Sequence, residues 1–312
     1  MTTGCINRID PKTKKVLKKN TKKSIFVFLM LIVPIIHFLI FYVYANFSSI
    51  MLAFQRLDQN GNYYFTWDNF IQVFDGFRDD GGTLQQALKN SLIFFAWDTF
   101  FLLPISIVFS YLFAKKIKGH RFFRFMFFVP TIISGVALTT MYKFMLGNSG
   151  PIGYIYRFFT GADATPPFFA IEEYALTTIL IYMLIFGFAG KILLIGGAMS
   201  RIPDTITDSA SLDGVTMWEE LFHIYIPMIW PTLSTILITT AAGILCTSGP
   251  ILLLTNGAGN TYDISFYIFN KVQVQGQYGV PAALGLVLTV VTFPIVMIVR
   301  HFVNKIYDDV EF

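Results

Sequence analysis

Asp208-Ser-Ala-Ser-Leu-Asp-Gly-Val-Thr-Met-Trp-Glu-Glu-Leu-Phe-His-Ile-Tyr-Ile-Pro227 lies between two long apolar runs. It carries Asp208, Asp213, Glu219 and Glu220, and Arg201 is the only Lys or Arg of the whole 200–228 connection. Its local signals are those of two short helices. Pro203 suits a first helical turn, where its missing N–H is not needed. Asp204 and Asp208 favour an early turn through the helix dipole. Gly214 supplies a left-handed stop. Thr216-Met217-Trp218-Glu219 has the S/T-x-x-E form of a capping box, and Pro227 is expected to limit the second helix. The stretch therefore reads as a helical hairpin turning at Gly214-Val215, with small residues (Ser209, Ala210, Ser211) on one arm and Met217, Trp218 and Phe222 on the other.

The flanking sequence is that of a membrane protein. The 312 residues are 54% apolar and only 13% charged, a balance foreign to soluble domains. A helix needs about 20 apolar residues to cross the hydrocarbon core. Six segments qualify: Ile25–Ala45, Ala87–Leu112, Phe122–Met145, Tyr174–Met199, Ile229–Leu254 and Val280–Val303. Pro104, Pro130 and Pro294 fall inside three of them, as bilayer helices tolerate. The expected fold is all-α. A basic tail (1–24) leads into a six-helix domain (25–305) and a short C-terminal tail (306–312). The first apolar run is too long for a signal-peptide core, so it is read as a span.

Lys and Arg cluster before the first run (Lys12 to Lys23), between the second and third (Lys115, Lys116, Lys118, Arg121, Arg124) and at the end (Arg300, Lys305). The positive-inside tendency places these in the cytoplasm, with both termini inside a bacterial-type plasma membrane. The same count puts the 200–228 hairpin in the cytoplasm, where its acidic charge is repelled by anionic lipid. It must then either lie at the interface by its apolar residues or face a soluble protein.

The spacing of that stretch resembles a known motif. Asp208-Ser209-Ala210, three residues, Gly214, nine residues, then Ile224-Tyr225-Ile226-Pro227 is similar to the E-A-A…G…I-x-L-P loop of the permeases of binding-protein-dependent ABC importers. Asp208, Ser209 and Ile226 are departures from it. RFFRFMFFVPTIISGVA (Arg121–Ala137), ALKNSLIFF (Ala87–Phe95) and YYFTWDNF (Tyr63–Phe70) resemble segments of the sugar and glycerol-phosphate type of these permeases. So do LLLTNGAGNTYDISFYIFNKV (Leu252–Val272) and QYGVPAALGLVLTVV (Gln277–Val291).

The resemblance implies a type I importer permease fold with a cytoplasmic coupling loop. It also implies the partners: ATP-binding cassette ATPase subunits, a second and usually different permease chain, and an extracytoplasmic solute-binding protein that delivers a sugar. ATP and Mg would sit on the ATPase, so this chain would bind no cofactor and be no enzyme. The coupling residues carried over are Asp208, Ala210, Asp213, Gly214, Ile224 and Pro227, with Asp208 a polar contact to the ATPase and Ala210 a close-packing position.

Polar residues at membrane depth are the other candidates, because they are costly there. Asp98 lies inside the second segment and Lys191 inside the fourth; Thr247, Ser248 and Gly249 interrupt the fifth before Pro250. These five are candidate pathway residues. Asp98 and Lys191 are equally readable as a structural pair, or as the coupling pair of an ion-driven secondary transporter, which is the alternative reading. Tyr182, Phe186 and Phe188 are aromatics that pack or stack on a sugar. Cys5 and Cys246 form no evident disulfide or metal site. GNSGPIG (Gly147–Gly153) lacks the lysine of a nucleotide-binding P-loop. Nothing in the sequence points to nucleic acid.

Overall fold

A computed structural model describes residues 11–58, 62–79, 82–245 and 250–306. Four helical stretches are long and apolar enough to cross a bilayer: Phe26–Ala53, Thr83–Ala114, Glu172–Met199 and Gly279–Ile306. Two further stretches qualify only as bent pairs. One joins His120–Ile132 to Gly135–Thr160 at 107°, and the other joins Met217–Met228 to Trp230–Ala242 at 76°. Taken as one span each, the bent pairs bring the candidates to six by length and composition; in the second pair only Trp230–Ala242 lies outside the 200–228 connection.

Two of the expected spans are corrected. The run Phe122–Met145 is not one helix. Ile133 and Ser134 are extended, and Ser134 starts a new helix by accepting the Ala137 N–H. Pro130, which has no N–H to give, sits just before the break. The run Ile229–Leu254 is also shorter than expected. Its helix ends at Ala242, with Gly243 as its C-cap, and a separate turn of helix covers Ile251–Leu254. In the other direction, the first span continues past Ala45 to Ala53.

Long helices here are interrupted rather than straight. π-Helical segments occur at Leu39–Tyr44, Asp98–Leu102, Leu221–Tyr225 and Asn270–Val274. Each leaves backbone groups out of the i→i−4 ladder, a feature frequent at functional sites. The second span changes register at Asp98, and the fourth is interrupted at Gly187 and Phe188.

Side chains pack in layers along the bundle. At the hairpin end, Tyr111, Ile195, Met199, Leu221, Tyr225 and Trp230 form one core. At the opposite end, Ala53, Val73, Leu84, Ile264, Ala283 and Leu284 form another. Tyr142, Tyr182 and Phe266 belong to a third layer between spans, and Phe188 to a fourth. The first span has no buried residue in its most apolar window. Its exposed Phe28, Met30, Val33 and Phe41 give it a surface matched to hydrocarbon.

The end opposite the hairpin is held by buried amides and hydroxyls. Strands Gln55–Leu57 and Tyr63–Phe65 pair antiparallel, with Arg56 opposite Tyr64. Asn69, itself buried, donates to the Ala53 and Gln55 carbonyls at 3.0 Å each and fixes that ribbon to the end of the first span. Asn90 of the second span donates to the carbonyls of Asn260 and Tyr262 at 2.7 Å each. Asp263 caps the next helix by accepting the Phe266 N–H at 2.6 Å. Gly257 and Gly259 have positive φ (81° and 62°), and a Cβ at Gly259 would lie 2.7 Å from that of Ala175. The 255–263 loop is thus a packed element.

Candidate functional site

The hairpin is built as its local sequence directs. Its first arm is the helix Asp204–Leu212, with Pro203 as the extended N-cap residue. Asp213 closes that helix, Gly214 takes φ +73°, and the Val215 N–H returns to the Ala210 carbonyl. Thr216 and Glu219 form the capping box. The Glu219 carboxylate accepts the Thr216 N–H at 2.8 Å and its hydroxyl at 2.6 Å, while the Glu219 N–H reaches the Thr216 hydroxyl at 3.5 Å. The hydrogen bonds from Thr216, side chain first and backbone second, hold the Glu219 carboxyl below its ordinary range.

Pro227 does not end the second arm. The arm runs from Met217 through the π-helical turn to Met228 and breaks at Ile229. Pro227 sits in the first turn of a new α segment, where it needs no N–H donor.

Exposure divides the motif residues into two groups. Asp208, Asp213 and Gly214 are exposed. A Cβ at Gly214 would meet nothing within 4 Å, so the glycine is required for its backbone angle and not for space within this chain. Ala210 is buried, with only 7% of its surface exposed. Ile224 and Pro227 are half-buried against the bundle. The outward surface is apolar as well as acidic: Leu212 is 90% exposed, and Met217, Trp218 and Phe222 stand out beside it. Trp218 and Phe222 stack at 6.2 Å.

The acidic count of the hairpin is smaller at its surface than in its sequence. Glu219 is occupied by the cap. Glu220 is buried, 5% exposed, and accepts hydrogen bonds from the Tyr111 hydroxyl at 2.6 Å and the Lys115 ammonium at 2.7 Å. Lys115, read in sequence as a topology-setting charge, is the partner of a buried carboxylate. Sequence reasoning missed this pair because its members are 105 positions apart. The available signal was Glu220's place beside Leu221 and Tyr225 on the inward face of the second arm.

At mid-bundle the structure brings Asp98 and Lys191 together. Lys191 Nζ donates to Asp98 Oδ1 in an ion pair whose side chains are 17% and 24% exposed. Trp97 next to it donates to the Leu180 carbonyl at 3.1 Å, tying the second span to the fourth. The Thr99 hydroxyl is buried without a protein partner. Thr247, Ser248 and Gly249, the other pathway candidates, lie outside the described residues. Tyr182 and Phe188 are buried in packing contacts. Tyr182 meets Tyr142 edge-on at 5.3 Å, and Phe188 meets Phe127 at 5.3 Å. Lys143 lies 5.8 Å from the centre of the Phe169 ring.

No protein-family model matches the chain. Individual proteins do. The chain is 27% identical over 270 residues to the probable ABC transporter permease protein YesP of Bacillus subtilis, covering 85% of each. It is 24% identical over 275 residues to MsmF, a permease protein of the multiple sugar-binding transport system of Streptococcus mutans, covering 84% of this chain and 89% of that one. Among solved structures it is similar to a bacterial ABC transporter that imports the acidic polysaccharide alginate. The TM-score is 0.79 at 21% identity, and the match covers 93% of this chain and 99% of the other. The same likeness holds for the alginate transporter in complex with its pentasaccharide-bound periplasmic protein, at TM-score 0.79 and 23% identity. Over most of its length the chain is similar to permease proteins of ABC transporters, one of them of a multiple sugar-binding system, and it shares the fold of the alginate importer.

Proposed function

We propose that the chain forms one half of a translocation pathway for a saccharide. A solute-binding protein would deliver the saccharide outside the membrane, and the 200–228 hairpin would seat on an ATP-binding subunit in the cytoplasm. ATP and Mg belong to that subunit. The observation that carries the reading is the hairpin's exposure: Leu212, Met217, Trp218 and Phe222 are exposed on the same short hairpin as exposed Asp208 and Asp213. Exposed apolar residues on an acidic hairpin mark a protein contact, and the acidic charge disfavours anionic headgroups. Gly214 supplies the turn, and Asp208 and Asp213 supply polar contacts. The Lys and Arg distribution supports a cytoplasmic hairpin and cytoplasmic termini. The saccharide is inferred from relatives: besides MsmF, one similar protein is an alpha-glucoside permease of Rhizobium meliloti, 26% identical over 231 residues. Pairing with a second, different permease chain is part of the same proposal.

Purification from native membranes in mild detergent tests the reading. The expected result is an ATP-binding subunit and a second permease in the same peak, with ATP hydrolysis that Gly214→Arg removes or uncouples. A chain that elutes alone and carries no ATPase activity contradicts it.

The Asp98–Lys191 pair motivates a second reading, an ion-coupled carrier that titrates this pair. It requires uptake that collapses with an uncoupler while ATP is held constant. Uptake that instead follows ATP sinks it.

A further inference from the structure

We propose that Glu220, Lys115 and Tyr111 form a joint that makes the second arm of the hairpin and the end of the second span one rigid body, so that movement imposed on the hairpin reaches the pathway through the second span. The proposal rests on the permease reading above.

Burial and charge single out this place. The first arm buries only Ala210; Ile206 and Thr207 are half-buried and the rest is exposed. The second arm enters the bundle: Leu221 and Tyr225 are buried in the same core as Ile195, Met199 and Trp230. Tyr225 meets Tyr111 edge-on at 4.9 Å. Trp230, just beyond the arm, donates to the Val303 carbonyl at 3.0 Å. In this otherwise apolar packing, the Glu220 carboxylate is the buried charge. Both of its oxygens are engaged, one by Tyr111 and one by Lys115, across the hairpin–span boundary. Apolar contacts slide at modest cost because they have no direction. A buried carboxylate does not, since moving away from either donor leaves it unpaired in a low dielectric. Glu220 is the last residue before the π-helical turn Leu221–Tyr225, and Tyr111 and Lys115 flank the end of the second span at Ala114. The joint therefore sits where the hairpin meets the bundle. Its span carries Asp98 further along, paired with Lys191 of the fourth span. Glu220, Lys115 and Tyr111 are positioning residues, since the polar contacts of the joint are to one another.

The test uses the assembled transporter in proteoliposomes, reading ATP hydrolysis and uptake in the same preparation, with Glu220→Gln, Lys115→Met and the exchange of Lys115→Glu with Glu220→Lys. The single changes are expected to keep the ATP-binding subunit and its hydrolysis while lowering solute moved per ATP by about tenfold, the scale of an allosteric coupling. The exchange is expected to recover part of that loss. Unchanged solute per ATP, with only a lower melting temperature, overturns the joint and leaves a fastening. A second measurement does not depend on the variants. Spin labels at Ile117 and His223, both exposed and outside the apolar contact surface, are expected to report one and the same distance with and without ATP. A distance that changes with nucleotide in the unsubstituted joint overturns the proposal. Failure of the unsubstituted chain to bind any ATP-binding subunit overturns the permease reading itself, and is distinguished by appearing before any variant is made.

Discussion

Lys191 donates to Asp98 across the interior of the bundle, joining the fourth span just after its interruption at Gly187 to the second span where its helix turns π. Two charges at membrane depth are tolerated because each removes the other's desolvation cost. Removing either alone leaves an unpaired ion. Lys191→Met and Asp98→Asn are each expected to destabilise the chain by on the order of 3 kcal/mol. The double variant is expected to be more stable than the sum of the singles. Thermal unfolding in detergent across the double-mutant cycle checks this; additive losses would mean that the pair does not act as a unit.

Gly214 adopts φ +73° with open space around its missing side chain. Its replacement by Ala is expected to cost about 1 kcal/mol from the left-handed backbone alone, and Asn less. Both should leave the chain folded. Circular dichroism melts of Gly214→Ala and Gly214→Asn check the order. A large loss for Gly214→Ala would show that the turn is crowded after all.

Thr216 holds the Glu219 carboxyl below its ordinary range, so the cap's contribution is present above the unfolded pKa and is lost as pH falls through the folded one. The Glu219 carboxyl carbon, followed by NMR, should titrate below a free glutamate. Thr216→Val should bring it back toward the ordinary value. An ordinary midpoint in the unsubstituted chain would refute the capping box.

Asn90 serves two carbonyls of the 255–263 loop, at Asn260 and Tyr262. Asn90→Leu leaves both without that donor inside the bundle, at a cost of roughly 2–3 kcal/mol. Hydrogen exchange should accelerate over 255–266 and not at the hairpin. Protection lost uniformly over the chain would locate the role of Asn90 elsewhere.

The hairpin was legible in the sequence because its determinants are local. Gly214 and the Thr216–Glu219 box act over a few residues, and the structure shows both where the spacing puts them. The spans were legible because apolar length is a one-dimensional quantity. Their interruptions were not. Ile133 and Ser134 are apolar or small enough to sit in a helix, and the break there depends on how Pro130 and the Ser134 cap compete with continued hydrogen bonding. Ile229–Leu254 reads as one run because hydropathy does not register a Gly243 cap. The Glu220–Lys115 pair was invisible for a different reason. Lys115 is one of several lysines after the second span, and only tertiary packing selects which one meets a carboxylate 105 residues away. Asp98 and Lys191 were legible as costly residues and as a possible pair, since the bilayer offers them few other partners.

In the proposed assembly the exposed hairpin surface contacts an ATP-binding subunit. A photo-crosslinking residue at Leu212, 90% exposed at the end of the first arm, tests this most directly in native membranes. The expected result is a crosslink to an ATP-binding subunit, reduced when Gly214 is replaced by Arg. Crosslinking to lipid alone, in membranes where solute uptake is intact, would contradict it.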